Sequence, residues 1–148
     1  MRIMVLNGPN LSALGQREPD IYGEKSLAEI NRELAELAEE LGVEVEFVQT
    51  ESEGEMIEQV HRAGREFDAL IINPGALSHT SLALLDALLS VKIPKVEVHL
   101  TNPLAREPHR RRMLSARAAD HLIAGLGDEG YRVALASLSG KQREERDQ

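Results

Sequence analysis

Glu97 and His99 are residues whose types and spacing could do acid–base chemistry. They lie in the alternating segment 96–99, which reads VEVH. Successive side chains of a strand point to opposite faces, so Glu97 and His99 share one face. A carboxylate at this spacing can hold an imidazole in one tautomer and stabilise its protonated form. The alternative is a surface pair on a half-exposed strand. We favour the first interpretation, because this strand is expected to lie inside the sheet.

The segment 6–23, LNGPNLSALGQREPDIYG, is a second candidate. It joins a predicted strand to a predicted helix, a connection that usually takes roughly 2–6 residues; much longer ones are commonly functional or disordered. Its Gly and Pro residues break it into turns, which argues against disorder, and it carries Asn10, Arg17 and Tyr22. We interpret it as a lid that carries chemistry. The alternative for Tyr22 is a ring packed on the sheet edge with its hydroxyl in water.

Two further basic groups follow predicted strands. His79 precedes a predicted helix, so it is a candidate ligand contact or a neighbour of the helix cap. Arg106 begins a basic run that continues with Arg110, Arg111, Arg112 and Arg117. Such runs are commonly a solvated face or a subunit contact. A guanidinium shortly after the fourth strand could nevertheless reach a carboxylate or phosphate ligand.

Other motifs are interpreted as structural. Residues 125–130 match GxGxxG between a strand and a helix, but they lie in the last strand–helix unit, with no following strand. Asp128 and Glu129 would put negative charge where a pyrophosphate should sit, so we predict a tight turn whose acids favour the helix dipole. The sequence shows no phosphate-binding P-loop and no metal-ligand spacing. His61 and His121 are predicted to be packing or surface residues.

Composition narrows the class of protein. The chain has 148 residues and is 42% hydrophobic, which predicts one domain, residues 1–140, followed by a polar tail, 141–148. The absence of Cys excludes disulfides and catalytic thiols. No apolar run approaches the roughly 20 residues that a membrane span needs, and no signal peptide is apparent, so we expect a cytoplasmic protein without membrane contact. The net charge of -8 argues against nucleic-acid binding.

Strand-like and helix-like patterns alternate along the chain. The predicted strands are residues 2–7, 43–49, 69–73, 94–100 and 121–125. The predicted helices are residues 26–41, 52–66, 80–90 and 128–139. Capping boxes that pair Ser26 with Glu29 and Ser52 with Glu55 support the first two helices. The second strand alternates apolar and acidic residues, which indicates a sheet edge.

This alternation predicts an α/β fold. Five strand–helix units indicate a flavodoxin-like, three-layer doubly wound sandwich with a five-stranded parallel sheet of order 2-1-3-4-5. Ligands then bind beyond the carboxyl ends of the strands, at the switch between strands 1 and 3. The residues expected there are the lid, NPGA at 73–76 and HLTN at 99–102. These are also the polar, Gly- and Pro-marked junctions, so two lines of reasoning indicate one site.

An ordered set of motifs resembles the type II 3-dehydroquinate dehydratases. It spans about residues 1–138, with NGPNL at 7–11, GxRxPxxYG at 15–23, EG at 53–54, NPGA at 73–76, HTS at 79–81, EVH at 97–99 and REP at 106–108. The resemblance implies a flavodoxin-like dodecamer, a tetramer of trimers, without cofactor or metal. It also implies the reversible dehydration of 3-dehydroquinate to 3-dehydroshikimate through an enolate, in aromatic amino-acid (shikimate) biosynthesis or in quinate catabolism.

The same resemblance implies catalytic roles. Tyr22 would take a proton from the carbon next to the ketone, and His99 would protonate the departing tertiary hydroxyl. Arg17 would favour the ionised Tyr22 and the transition state. Asn10 would hold a water against the enolate oxygen. Glu97 would orient His99.

The resemblance implies substrate-binding residues as well: Asn73, Gly75, His79, Asp86, Leu100, Thr101, Arg106 and Arg110. The substrate carboxylate would meet the Asn73 side chain and the backbone amides of Leu100 and Thr101. The ring hydroxyls would meet His79, Arg110 and Asp86 of a neighbouring subunit. Arg106 would add a second cation near Tyr22.

The sequence departs from the family pattern at Ser12, Ala13, Glu51, Leu77 and Met113. The family usually has Asn and a larger apolar residue at the first two positions, Asn at the third, Tyr at the fourth and Ser at the fifth. None is implied to transfer a proton. Leu77 and Met113 are expected to border the substrate region, so affinity and the preference for ring substituents stay open.

Two other functions are compatible with these patterns. One is a flavodoxin-like module that binds a flavin or nucleotide, which the long lid and the missing phosphate loop disfavour. The other is a family relative with an altered substrate, which Leu77 and Met113 suggest.

Overall fold

The structure, a computed structural model, describes residues 1–147. Five strands form one sheet: β1 (Arg2–Asn7), β2 (Glu44–Gln49), β3 (Ala69–Asn73), β4 (Lys95–His99) and β5 (His121–Ala124). Six α-helices lie within these residues: α1 (Pro19–Tyr22), α2 (Leu27–Leu41), α3 (Glu53–Glu66), α4 (Leu77–Thr80), α5 (Leu82–Ser90) and α6 (Glu129–Arg146).

The sheet has the predicted topology. Its strands are all parallel and run in the order β2-β1-β3-β4-β5, which confirms the flavodoxin-like arrangement. Asn7 at the end of β1 pairs with Gln49 on one side and with Asn73 on the other. The connections that leave these three strands therefore start at one edge of the sheet, where a doubly wound fold binds ligands.

Alternating side chains of the central strands fill two cores. Ile3 and Val5 of β1 pack toward α2 and α6, whereas Met4 and Leu6 pack toward α3 and α5. A strand buried on both faces has no polar face, which explains why residues 3–6 of β1 and 69–72 of β3 are all apolar. The two helical layers and the sheet between them make the predicted three-layer sandwich.

The helix ends follow the predicted capping signals. The Ser26 hydroxyl accepts the Glu29 backbone N–H at 3.2 Å, and α2 ends at Gly42 with a positive φ of 71°. At α3 the Ser52 hydroxyl accepts the Glu55 backbone N–H at 3.2 Å. The Glu55 carboxylate accepts from the Thr50 hydroxyl, so this side chain does not close the box in the expected way.

Two connections differ from the prediction. The helix expected at residues 80–90 is two helices, α4 and α5, because Ser81 leaves the helical conformation and caps the Leu84 N–H at 2.9 Å. In residues 100–120, all of which the structure describes, no α-helix lies between β4 and β5. That connection holds three 3₁₀ helices, Pro103–Ala105, Pro108–Arg110 and Ser115–Ala118. Pro begins the first two of these turns, and without an N–H it cannot continue a helix.

The lid and the last helix also differ from the prediction. The lid is not irregular throughout, since it contains α1 and a 3₁₀ helix, Leu11–Ala13. The last helix, predicted to end near residue 139, continues to Arg146 and includes most of the segment interpreted as a tail. Gln148, the last residue of that tail, lies outside the described residues. Among the described residues, no helix is long and apolar enough to cross a membrane.

Candidate active site

A cavity of about 180 Å³ opens beyond the carboxyl ends of β1, β3 and β4. This is the edge at which the sequence predicts a ligand site. The cavity is lined by residues from the lid, from the connection after β3 and from the connection after β4: Pro9, Asn10, Leu11, Leu14, Arg17, Tyr22, Asn73, Gly75, Ala76, His79, His99, Leu100, Thr101, Pro103, Arg106 and Arg110. Most of the residues expected at the site therefore surround one space.

Backbone packing under the cavity requires glycine at two positions. The Gly8 N–H donates to the Asn73 carbonyl at 2.8 Å, which joins the connections after β1 and β3. A Cβ on Gly8 would lie 2.6 Å from the Pro74 carbonyl oxygen, and a Cβ on Gly75 would lie 2.9 Å from that of Pro9. Gly75 also has a positive φ of 59°. Both contacts are backbone contacts, so a larger residue would separate the two connections.

Tyr22 meets two arginines over the cavity. Arg106 Nη1 donates to the Tyr22 hydroxyl at 2.8 Å. The guanidinium carbons of Arg17 and Arg106 lie 5.0 and 5.3 Å from the centre of the Tyr22 ring. Arg111 in turn donates to the Arg106 carbonyl through Nε at 3.2 Å and Nη2 at 3.1 Å. The phenol oxygen thus accepts a hydrogen bond from a cationic side chain.

His99 and Glu97 form a buried pair. Val96 and Val98 pack toward α2 and α6, so Glu97 and His99 lie on the other face of β4. His99 Nε2 is 2.7 Å from Glu97 Oε2, and the two residues are 7% and 0% exposed. The alternative of a surface pair is therefore wrong. Because Nε2 meets the carboxylate, Nδ1 is the ring nitrogen left to act in the cavity.

Two serines complete the environment of Glu97. Ser78 Oγ donates to Glu97 Oε2 at 3.0 Å, and Ser115 Oγ donates to Glu97 Oε1 at 2.5 Å. Both serines are fully buried. Ser78 lies on α4, and Ser115 begins the last 3₁₀ helix before β5. A buried carboxylate without such donors would be costly, so these hydroxyls are part of the site.

His79 faces the same cavity in its neutral form. Its ring centre is 6.1 Å from that of His99. Burial, followed by the nearby His99 and Arg110, lowers the pKa of His79. The Met113 backbone N–H donates to His79 Nδ1 at 3.3 Å. His79 therefore carries its proton on Nε2, which can donate a hydrogen bond to a ligand.

A chain of polar groups lies under the cavity. Asn73 Oδ1 accepts the Gly75 N–H at 3.1 Å, and Asn73 Nδ2 donates to the Tyr131 hydroxyl at 3.0 Å. That hydroxyl donates to Asn7 Oδ1 at 2.5 Å. Burial raises the pKa of Tyr131, so the phenol stays protonated and continues to donate. This chain holds the Asn73 side chain in one orientation.

Glu51 accepts hydrogen bonds from residues at the beginning of the lid. Its Oε2 accepts the Asn10 backbone N–H at 2.8 Å, while Oε1 accepts the Ser12 hydroxyl at 2.6 Å and the Gln49 amide at 2.8 Å. The Ser12 hydroxyl, followed by the Asn10 N–H and Gln49, lowers the pKa of Glu51. Asn10 has a positive φ of 70°, which is uncommon for a residue other than Gly. The carboxylate therefore supports an unusual backbone at a candidate catalytic residue.

The other expected binding residues divide into two groups. Arg110, Leu100 and Thr101 line the cavity, and Arg110 Nε forms an ion pair with Glu107 Oε2 at 3.0 Å. Asp86 is exposed on α5 and lies away from the cavity lining of its own chain. This placement is compatible with the expectation that Asp86 serves a neighbouring subunit.

The departures from the family pattern lie outside the cavity lining. Leu77 packs on the core between β1, α3 and α5, so the expectation that its side chain borders the substrate region is wrong. The buried Met113 reaches the site through its backbone N–H on His79. Ser12 and Glu51 bind each other at the start of the lid, and Ala13 ends the short 3₁₀ helix there.

The motifs that the sequence analysis interpreted as structural lie outside the cavity lining. Residues 125–128 form the turn between β5 and α6, and residues 129–130 begin α6. In this turn the Gly125 N–H donates to the His99 carbonyl at 3.2 Å. Asp128 accepts from Lys25 at 3.1 Å. His61 is exposed on α3 and His121 on β5. Within residues 1–147, no cluster of three or more His, Cys, Asp or Glu is arranged to hold a metal ion.

Sequence reasoning missed three site residues, namely Ser78, Ser115 and Tyr131. A buried carboxylate on an interior strand needs donors, so the burial expected for Glu97 was a signal that hydroxyls must lie nearby. It did not identify them, because Ser115 reaches Glu97 only through the irregular connection after β4. Nothing in the sequence indicated a role for Tyr131, except that the chain has only two tyrosines.

Comparisons with known proteins show the family of this chain. A family profile described as Dehydroquinase class II matches residues 1–139. A 3-dehydroquinate dehydratase of Pelotomaculum thermopropionicum is 51% identical, over 95% of this chain and 99% of the relative. Another of Carboxydothermus hydrogenoformans is 52% identical, over 93% of this chain and 90% of the relative.

Solved structures give the same result. The type II dehydroquinase of Propionibacterium acnes superposes with a TM-score of 0.91 at 42% identity, covering 94% of this chain and 96% of the other. That of Butyrivibrio crossotus also superposes with a TM-score of 0.91, at 38% identity. With a family profile over nearly the whole chain and relatives at about half identity, the chain belongs to the class II dehydroquinase family.

Proposed function

We propose that this protein is a 3-dehydroquinate dehydratase that eliminates water from 3-dehydroquinate to give 3-dehydroshikimate. The observation that carries the proposal is the pairing of two groups in one cavity. One is a phenol hydrogen-bonded to an arginine, Tyr22 with Arg106 at 2.8 Å. The other is an imidazole backed by a buried carboxylate, His99 with Glu97 at 2.7 Å. Such a pair supplies a base and an acid to one substrate.

The first step removes a proton from the carbon next to the ketone. The Tyr22 phenolate takes this proton, and the C–H electron pair forms an enolate whose charge lies on the former ketone oxygen. Arg17 and Arg106 favour the phenolate before the step, because positive charge near a phenol stabilises its ionised form. Asn10 holds a water against the enolate oxygen, which provides a preorganised hydrogen bond.

The second step expels the tertiary hydroxyl. The enolate re-forms the ketone, the new C=C bond forms, and the C–O bond breaks as His99 donates its proton to the departing oxygen. Water and a conjugated enone are the products. Glu97 stabilises the imidazolium form of His99 before transfer and fixes the orientation of the ring.

Binding groups surround the reacting atoms. The substrate carboxylate meets the Asn73 amide, near Gly75, and the backbone N–H groups of Leu100 and Thr101. The neutral His79 and Arg110 bind ring hydroxyls from the other side. This division is supported by the orientation of Asn73, which Tyr131 and Gly75 already hold.

We also propose that the protein works as a dodecamer, a tetramer of trimers, in which Asp86 of the partner subunit completes each site. The support is the outer face of α5, where Leu82 is 64% and Leu89 is 61% exposed, with Asp86 between them. Two large apolar side chains on one helix face indicate a contact surface. Cytoplasmic location stays a prediction from the sequence.

The direct test is to mix the purified protein with 3-dehydroquinate and to follow the ultraviolet absorbance of the conjugated enone. We expect turnover in a buffer that contains a chelator and no added cofactor. A protein that shows no enone, while an established dehydratase is active in the same assay, would contradict the proposal. A purified protein that carries a bound flavin or nucleotide would instead support a binding module.

A further inference from the structure

The two serine hydroxyls that contact Glu97 have a role beyond packing. Glu97 is 0% exposed, and its carboxylate oxygens meet Ser78 at 3.0 Å, Ser115 at 2.5 Å and His99 at 2.7 Å. The two serine oxygens lie 2.9 Å apart. Each hydroxyl has one hydrogen. The Ser115 hydroxyl has two acceptors in reach, Ser78 Oγ at 2.9 Å and Glu97 Oε1 at 2.5 Å, and we assign its hydrogen to the shorter contact. With the Ser78 hydrogen on Oε2, each carboxylate oxygen then accepts from one serine.

This arrangement decides where a shared proton resides. A neutral imidazole carries one N–H proton of its own, and the Glu97–His99 pair shares one further proton. If that proton is on the ring, the pair is Glu⁻ with HisH⁺. If it is on the carboxyl, the pair is GluH with neutral His. Burial favours the neutral pair, because charged groups lose solvation. Hydrogen bonds donated to a carboxylate favour the ion pair, because they are stronger to the charged form. Two such donors therefore shift the proton toward His99.

The other charged groups near His99 do not oppose that shift strongly. The His79 ring on α4 lies 6.1 Å from the His99 ring, and Arg110, on the connection after β4, lines the same cavity as both. His79 also interacts with the charges of Arg110, His109 and Glu97. Burial, His99 and Arg110 lower the pKa of His79, so that imidazole is neutral at pH 7. Arg110 lines the same cavity as His99 and is itself paired with Glu107.

We propose that Ser78 and Ser115 are positioning residues that keep the proton of the Glu97–His99 pair on His99. The inference deepens the proposed function, because only the imidazolium form of His99 can protonate the departing hydroxyl. The two serines come from separate elements, α4 and the last 3₁₀ helix before β5. Because both serines contact Glu97, the path of the irregular connection after β4 affects the protonation of His99, the acid of the reaction.

The test is the protonation state of His99 in the ligand-free protein at neutral pH. Nitrogen-15 spectra of the imidazoles distinguish a ring with both nitrogens protonated from a neutral ring, and a His99→Asn variant assigns the signals. We expect a protonated His99 in the wild type and a largely neutral one in the Ser78→Ala/Ser115→Ala double variant. Infrared spectra should then show a protonated carboxyl that is missing when Glu97→Gln is added.

Kinetics give a second readout. Loss of the acid form should lower kcat of the double variant roughly 10-fold or more, with little change in KM, since a positioned general acid contributes about 10²–10⁴-fold. Ser115→Thr keeps a hydroxyl and should restore much of the loss in a Ser115→Ala background. Ser139→Ala is the matched control. This serine is also buried, but its hydroxyl donates to the Ala136 carbonyl at 2.9 Å on α6, and its loss should leave both readouts unchanged.

The outcomes separate this inference from the function on which it rests. A double variant in which His99 remains protonated, or a wild type in which His99 is already neutral, would overturn the inference even if the enzyme is active. A protein that shows the expected spectral change but no dehydratase activity would support the proton placement and refute the proposed function.

Discussion

At the scale of single residues, the proposed reaction depends on the oxygen of Tyr22. Tyr22→Phe keeps the ring that lies beside Arg17 and Arg106 but removes the ionisable group. Turnover in the enone assay should fall by roughly 10²-fold or more, because a general base contributes about 10²–10⁴-fold. Circular dichroism and substrate binding should stay close to those of the wild type. Turnover equal to that of the wild type would show that Tyr22 serves only in packing.

The arginine beside this ring gives a complementary prediction. A free phenol is only about 0.1% ionised at pH 7, so a cation that favours the phenolate matters most at neutral pH. Arg17→Ala should lower kcat heavily at pH 7 and recover in part as the pH rises, since more Tyr22 then ionises. The rate–pH profile measures this recovery. Arg65→Ala, an exposed arginine of α3, is the control, and Tyr22→Phe should show no recovery.

His79 links the site to stability at acid pH. Burial, His99 and Arg110 lower the pKa of His79, so the folded protein binds this proton less readily than the unfolded chain does. As the pH falls below about 6.5, the unfolded state takes up the proton first and the free energy of unfolding decreases. Tm should therefore fall less between pH 7 and pH 5 in His79→Gln than in the wild type. His61→Gln, on the exposed face of α3, should behave like the wild type; equal slopes for all three would contradict the argument.

At the scale of elements, the Glu51 carboxylate helps to hold the start of the lid. Glu51 accepts from Ser12, from the Asn10 N–H and from Gln49, and these bonds lower its pKa. Its contribution is therefore present above about pH 4.5 and is lost as the pH falls through the lowered value. Glu51→Ala should reduce kcat/KM severalfold at pH 7 and speed proteolysis within residues 6–23.

The matched control for the lid is Glu58→Ala, which removes an exposed acid from α3. Glu51→Gln should retain part of the effect, because its amide oxygen still accepts one hydrogen bond. If Glu51→Ala and Glu58→Ala leave the same activity and the same rate of lid cleavage, the carboxylate does not hold Asn10.

The strands were predictable, because each is defined by its own side chains. Ile3, Met4, Val5 and Leu6 are all apolar, and a run of this short length is typical of a strand covered on both faces. Helix α2 was equally clear, since Ser26 and Gly42 mark its two ends. The connection after β4 was not predictable in this way. Its path depends on contacts with distant residues, such as Ser115 with Glu97, that no local pattern encodes.

In the candidate site, too, contacts set by a local pattern were predictable and contacts between distant residues were not. Glu97 and His99 share a strand face by simple alternation, so their pairing followed from local geometry. The approach of Arg106 to Tyr22 joins residues 84 apart in the chain, and the resemblance implied it before the structure located it. Ser78 and Ser115 were missed, because a serine is common and its role here comes only from the carboxylate that it meets.

At the scale of the whole molecule, the exposed face of α5 leads to a prediction about assembly. Leu82 and Leu89 flank Asp86 on this face, and all three point away from the cavity of their own chain. If the proposed trimer forms here, apolar side chains from adjacent copies cover one another, and Asp86 of the partner subunit reaches the ring hydroxyls of the substrate. Subunit contact and catalysis then depend on one helix.

The paired variants are Leu89→Glu and Asp86→Asn. Leu89→Glu would bury a charge in the proposed contact, so light scattering should report a species smaller than the wild-type assembly, which we propose to be a dodecamer. Activity should fall although Tyr22 and His99 are intact. Asp86→Asn removes a charge without adding bulk, so the assembly should keep its size while KM rises. Because a monomer lacks the partner's carboxylate, a fully active monomer of Leu89→Glu would contradict the shared site. An unchanged dodecamer would place the contact on another face.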